Sequence, residues 1–239
     1  MQQIPLVLIP GLMCDHGVWS SVMPLLDSRR PCVVAEHGNA NSLTQMASQI
    51  LDTVAGPLVV AGHSMGGRVA LEMVRLAPQR IHGVALMDTG YLPREPGNVG
   101  AAEKDKRMAL LSLAEEQGVR VMAQEWVQGM VHPDRLVDID LIEKIVAMFE
   151  RKSAQVFSHQ IQALLNRPDG TDVLRSLQVP VLLQCGLQDT WSPPAQHEAM
   201  RALVPAAVLD VIESAGHMAP MERPEATAAS LNRWLQLCD

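Results

Sequence analysis

Short apolar runs alternate with amphipathic stretches along the first ninety residues of the chain. Ile4 to Ile9, Cys32 to Ala35, Leu58 to Ala61 and Ile81 to Met87 are too short for buried helices and read as strands. Between them, Trp19 to Leu26, Leu43 to Val54 and the stretch from Gly67 to about Leu76 place apolar residues at helical spacing. Such alternation predicts an α/β fold, a mostly parallel sheet covered by helices. From about Tyr91 to Asp172 the pattern changes. No strand-like run occurs there, whereas Ala101 to Glu116, Val119 to Met130, Leu141 to Arg151 and Ala154 to Leu165 repeat at helical spacing. Strands resume at Val179 to Cys185 and Ala207 to Ile212. The expected organisation is a core of residues 1–90 and 173–239 with a helical insertion at 91–172. The sequence shows neither an internal repeat nor a low-complexity linker.

Composition narrows the function classes. A chain of 239 residues fits one domain with an insertion and buries a full core. Its net charge of -7, from interspersed residues of both signs, argues against nucleic acid or an anionic membrane as partner. No apolar run is long enough to cross a bilayer, and the first one lacks a preceding basic stretch, so it reads as a strand. Cys14, Cys32, Cys185 and Cys238 show no Cys-x-x-Cys spacing and are expected to be reduced thiols of a cytoplasmic protein. No two histidines stand three or four apart, no P-loop occurs, and no Gly-x-Gly-x-x-Gly follows a strand. Neither a metal nor another cofactor is expected. The oligomeric state is not legible.

The candidate chemistry begins at Gly62-His-Ser64-Met-Gly66, between an apolar run and a helical stretch. Gly-x-Ser-x-Gly recurs by chance in about one chain in ten of this length, and a serine cap on a helix is the plain alternative. Its context, strand then sharp turn then helix, is the one in which a serine is lifted above a sheet. The turn needs small neighbours, which Gly62 and Gly66 provide, and Gly67 lets the helix pack close to the strand. Two later strands end near Asp189 and His217. Serine, acid and histidine thus each follow a strand, at the edge where open α/β sheets bind ligands, in the order Ser, Asp, His.

These segments resemble the α/β-hydrolase superfamily over nearly the whole chain. The resemblance implies Ser64 as nucleophile, His217 as general base and then acid, and Asp189 as the residue orienting the imidazole. Gly186-Leu-Gln-Asp-Thr-Trp-Ser-Pro193 is similar to the family's acid turn, and Ala215-Gly-His-Met-Ala-Pro-Met-Glu-Arg-Pro224 to its histidine loop. Leu6 to Trp19 resembles the loop that forms half of an oxyanion hole, with Pro10-Gly11 where His-Gly is usual. Backbone N–H groups bind the oxyanion there, by position those of Leu12 and Met65, so the substitution removes no reacting side chain. The helical insertion falls where the family carries a cap. Many members begin with an antiparallel strand pair that this sequence does not show, leaving about six parallel strands.

The resemblance implies hydrolysis of a small carboxylic ester or lactone. Thioester and carbon–carbon bond hydrolysis use the same parts, and some proteins of this fold act as slow-turnover small-molecule receptors. An acidic anchor for a peptide amine is not identifiable. Four Trp, one Tyr and two Phe against fourteen Met imply an aliphatic, pliable pocket, although most methionines are expected in the core. Met13, His16, Trp126, Trp191 and Met218 are the candidate substrate contacts, and either tryptophan could equally be packing. Asp88 also ends a strand and is the rival acid. His197 is expected on the surface. His63 adjoins Ser64 without an assigned role, and His37, His82, His132 and His159 have none.

Overall fold

The structure, a computed structural model, describes residues 4–238. Strands β1 (Leu6–Ile9), β2 (Cys32–Val34), β3 (Leu58–His63), β4 (Ile81–Met87), β5 (Val181–Gly186) and β6 (Val208–Ile212) form one sheet. Their order is β2-β1-β3-β4-β5-β6, and every neighbouring pair is parallel. β1, β3 and β5 are buried along their whole length because helices cover both faces of the sheet, which is why they read as apolar runs with only His63 and Gln184 as polar members. Strand order reverses between β1 and β3, and ligands of open α/β sheets bind beyond the carboxyl ends of strands at such a switch point.

Helices α1 (Leu43–Thr53) and α2 (Met65–Leu76) make the early crossovers, and α3 (Gly97–Gln117), α4 (Val119–Trp126), α5 (Ile139–Glu150) and α6 (Ala154–Leu165) lie between β4 and β5. The short α7 (Thr171–Ser176) leads back to β5, and α8 (Pro194–Leu203), α9 (Ala219–Glu222) and α10 (Pro224–Leu235) complete the layers. Sequence and structure agree on all of α6: its apolar spacing is clean and Ser153 caps it by accepting from the Val156 amide. The inserted helices are tied to the loop after β1. Arg151 holds Asp15 through two bonds of 2.7 Å, and Gln160 Oε1 accepts from the Met13 amide at 2.8 Å.

Two local expectations change. Trp19 to Leu26 is no α-helix but two 3-10 turns, His16–Trp19 and Met23–Leu25. Asp15 accepts from the Gly17 amide and tightens the first turn, while Pro24 lacks the N–H that a continuous helix would need. The expected helix from Val119 stops at Trp126 and continues as a 3-10 turn, Val127–Gly129. Helices α9 and α10 were not anticipated. Pro220 and Pro224 look like breaks, yet each stands in a first turn, where a missing N–H costs nothing.

Candidate active site

Ser64 joins β3 to α2 with φ 55° and ψ -117°, a conformation that costs a non-glycine residue about 1–3 kcal/mol. The surroundings hold it there. Its amide donates to the Met87 carbonyl at 2.8 Å, and its carbonyl accepts from the Thr89 hydroxyl at 2.6 Å and the Gly67 amide at 3.0 Å. A Cβ on Gly62 would collide with the Gly66 carbonyl, and one on Gly66 with the Ile9 carbonyl of β1. The two glycines therefore permit a close approach of helix and strands that no other residue allows.

The Ser64 hydroxyl lies 2.8 Å from His217 Nε2, and His217 Nδ1 lies 2.8 Å from Asp189 Oδ2. Asp189 Oδ1 accepts from the amides of Trp191 at 2.8 Å and Ser192 at 3.0 Å. Burial works to raise the Asp189 pKa, but the His217 charge and hydrogen bonds from His217, Ser192 and Trp191 outweigh it and bring it to about 2. Asp189 is thus an ionised acceptor, so Nδ1 of His217 carries the proton and Nε2 presents a lone pair to the Ser64 hydroxyl. Such a chain can withdraw a proton from the hydroxyl as its oxygen attacks.

Supporting contacts converge on the loop that carries His217. Its amide donates to the Met130 carbonyl at 2.6 Å, and its carbonyl accepts from His63 Nε2 at 2.7 Å. Buried Glu222 accepts from Gly216 at 2.8 Å, Met218 at 3.2 Å and the His132 amide at 2.7 Å. Nothing in the sequence reading signalled this clamp. Burial, and then the His217 charge, push the His63 ring down to about 3, which leaves it neutral. Asp88 does not reach His217. Its Oδ1 accepts from the Gly186 amide at 2.8 Å, while burial and the Asp189 charge raise its pKa well above the usual range. His197 is fully buried rather than on the surface: α8 packs on β5, and its ring Nδ1 faces the Pro193 carbonyl at 3.3 Å.

A cavity of about 980 Å³ opens over these groups. Ser64, His217, Leu12, Met65, Trp126, Trp191 and Met218 line it. Trp126 stacks on Trp191 with ring centres 5.7 Å apart, and Trp191 lies 4.8 Å from the His217 ring. The structure places the other two candidate contacts outside the lining. The Met13 side chain is fully buried, in a residue at φ 62°, and His16 points to solvent beside Asp15. No protein acceptor among the described residues takes the Leu12 amide, and the Met65 amide opens α2, where N–H groups lack intrahelical partners. Among the described residues no three His, Cys, Asp or Glu side chains gather as a metal site requires, and no helix is long and apolar enough to cross a membrane.

A sequence profile of the alpha/beta hydrolase family matches residues 6–230, and the chain belongs to that family. It is similar to esterases and other hydrolases within it. A pimeloyl-[acyl-carrier protein] methyl ester esterase of Methylococcus capsulatus is 28% identical over 96% of this chain and 93% of its own length. A candidate carbamate hydrolase of Azorhizobium caulinodans is 24% identical over 89% of this chain and 84% of its own. The solved structure of a thermophilic esterase from Thermogutta terrifontis, with malate bound, superposes with a TM-score of 0.87 at 26% identity. That match covers 99% of this chain and 91% of the other.

Proposed function

We propose that the protein is a serine carboxylesterase acting on a small carboxylic ester or lactone. The observation that carries this reading is the unbroken chain of 2.8 Å bonds from Ser64 Oγ through His217 to Asp189 at the floor of the cavity. His217 Nε2 takes the Ser64 proton as Oγ attacks the substrate carbonyl. The Leu12 and Met65 amides hold the oxyanion, each contributing on the order of 3 kcal/mol. Collapse expels the alcohol with the proton from His217, and water, deprotonated by the same nitrogen, releases the acid from Ser64. Residues 91–172 act as a cap that roofs the cavity and sorts substrates. Cys14, Cys32 and Cys185 are free thiols, in keeping with a reducing, cytoplasmic setting.

Hydrolysis of p-nitrophenyl esters from acetate to decanoate by the wild type and Ser64→Ala tests this. Rapid turnover that falls at least a thousandfold, roughly, in Ser64→Ala is the expected result. Activity surviving the substitution would remove Ser64 from the mechanism. Tight ligand binding with negligible turnover would favour a receptor instead.

A further inference from the structure

The cavity wall away from Ser64 is charged, which ester hydrolysis alone does not require. Arg68, Arg107, Arg167 and Glu103 all line it. Glu103 is fully engaged by two of the three arginines. Its Oε1 receives Arg167 Nη1 at 2.7 Å and Arg107 Nε at 3.0 Å, and its Oε2 receives Arg167 Nη2 at 2.8 Å. Arg68 has no such partner. It donates through Nη1 to the Leu92 carbonyl at 2.8 Å, and no carboxylate of the described residues lies within ion-pair distance of it. Glu95 and Glu125 also line the cavity but are solvent-exposed.

We propose that Arg68 binds a carboxylate carried by the ester substrate at the end remote from the scissile bond. This rests on the esterase reading above and names its substrate class: half-esters of dicarboxylic acids and lactones bearing a carboxylate. Arg68 lies four positions after Ser64, about 6 Å further along the axis of α2. Both residues line the one cavity. Arg68 Nη2 stands over Gly90, where a Cβ would lie 2.8 Å from it, and the Gln196 amide crowds the same spot. Both side chains line the cavity, and no acceptor among the described residues takes Arg68 Nη2 or Gln196 Nε2. A guanidinium presents a planar fork suited to a carboxylate. Burial, and then the Arg167 charge, depress the Arg68 pKa to about 9, a cost that a bound anion relieves. Arg107 and Arg167 are both bonded to Glu103, which leaves the Arg68 fork to receive the carboxylate. The apolar wall of Trp126 and Phe157 receives the methylenes between the two ends.

The test compares monomethyl esters of succinic to suberic acid with the matching dimethyl diesters, which are neutral and similar in shape. In the wild type, kcat/KM for the half-ester is expected to exceed that for the diester by roughly tenfold to a hundredfold. Arg68→Gln brings the ratio to about one, mainly through KM, and Arg68→Lys restores part of it. A diester hydrolysed as well as its half-ester by the wild type overturns the proposal, as does a ratio that survives Arg68→Gln. If neither series turns over, the esterase reading fails by itself, and glutarate binding decides the role of Arg68. A rise in wild-type Tm with glutarate that disappears in Arg68→Gln supports the carboxylate site, and no rise in the wild type overturns it.

Discussion

The His63 ring donates to the main-chain carbonyl of His217 at 2.7 Å, so the residue before Ser64 in sequence holds the loop on which His217 is mounted. Ser64 and His217 are 153 positions apart, yet their relative placement depends on this short cross-link. His63→Ala is expected to lower kcat about tenfold or more, because small misplacements of a reacting pair are costly. KM should change much less. The ring is neutral over the working pH range, so the pH profile of kcat should keep its shape. Steady-state kinetics across pH check this, and an unchanged kcat would refute it.

Glu222 should matter to both stability and rate. Its carboxylate satisfies two buried amides and the partly buried one of His132, and Glu222→Ala leaves all three without that acceptor. Each orphaned donor costs about 1–3 kcal/mol. A fall in Tm on the order of 10 °C is expected, with a reduced kcat in whatever remains folded. Glu222→Gln keeps only one acceptor oxygen and should fall between. Thermal melts with parallel kinetics measure both effects, and a wild-type Tm in the alanine variant would show the clamp to be idle.

Asp88 yields a pH-dependence of known sign. Its folded pKa is raised, so above about pH 4 the native state retains a proton that the unfolded chain has released. Its contribution is complete below the unfolded pKa of about 3.8 and is lost as pH rises through the folded value, by about 1.4 kcal/mol per pH unit. Asp88→Asn carries no proton and keeps an oxygen for the Gly186 amide. Relative to wild type, the variant should gain stability as pH rises from 5 to 8. Urea denaturation at several pH values tests this, and a difference independent of pH would show that Asp88 is ionised in the native protein.

Ser64, Asp189 and His217 were legible because each follows an apolar run short enough to be a strand, and a parallel sheet brings strand ends to one edge. β3 and β5 were legible because burial on both faces makes them almost wholly apolar, with His63 and Gln184 as their polar exceptions. His197 was misplaced because α8 mixes Ala, Gln and Glu around it, and only packing shows that it shares the buried face with Met200. Glu222 was hidden for a different reason. A carboxylate that satisfies amides looks in sequence like any surface glutamate, and its partners lie in two loops. The Arg68 environment escaped similarly, since it depends on α3 and the end of α6 converging on α2.

The bond from the His217 amide to the Met130 carbonyl gives residues 91–172 a hand in the placement of His217. Gly216 lies so close beneath that segment that a Cβ there would sit 2.7 Å from the Met130 oxygen. A chimaera carrying a foreign helical insertion would exchange part of the cavity wall and, in the same graft, one anchor of the imidazole. Broadened specificity and slowed turnover would therefore arrive together, unless the transplanted segment returned a carbonyl to the same point above His217.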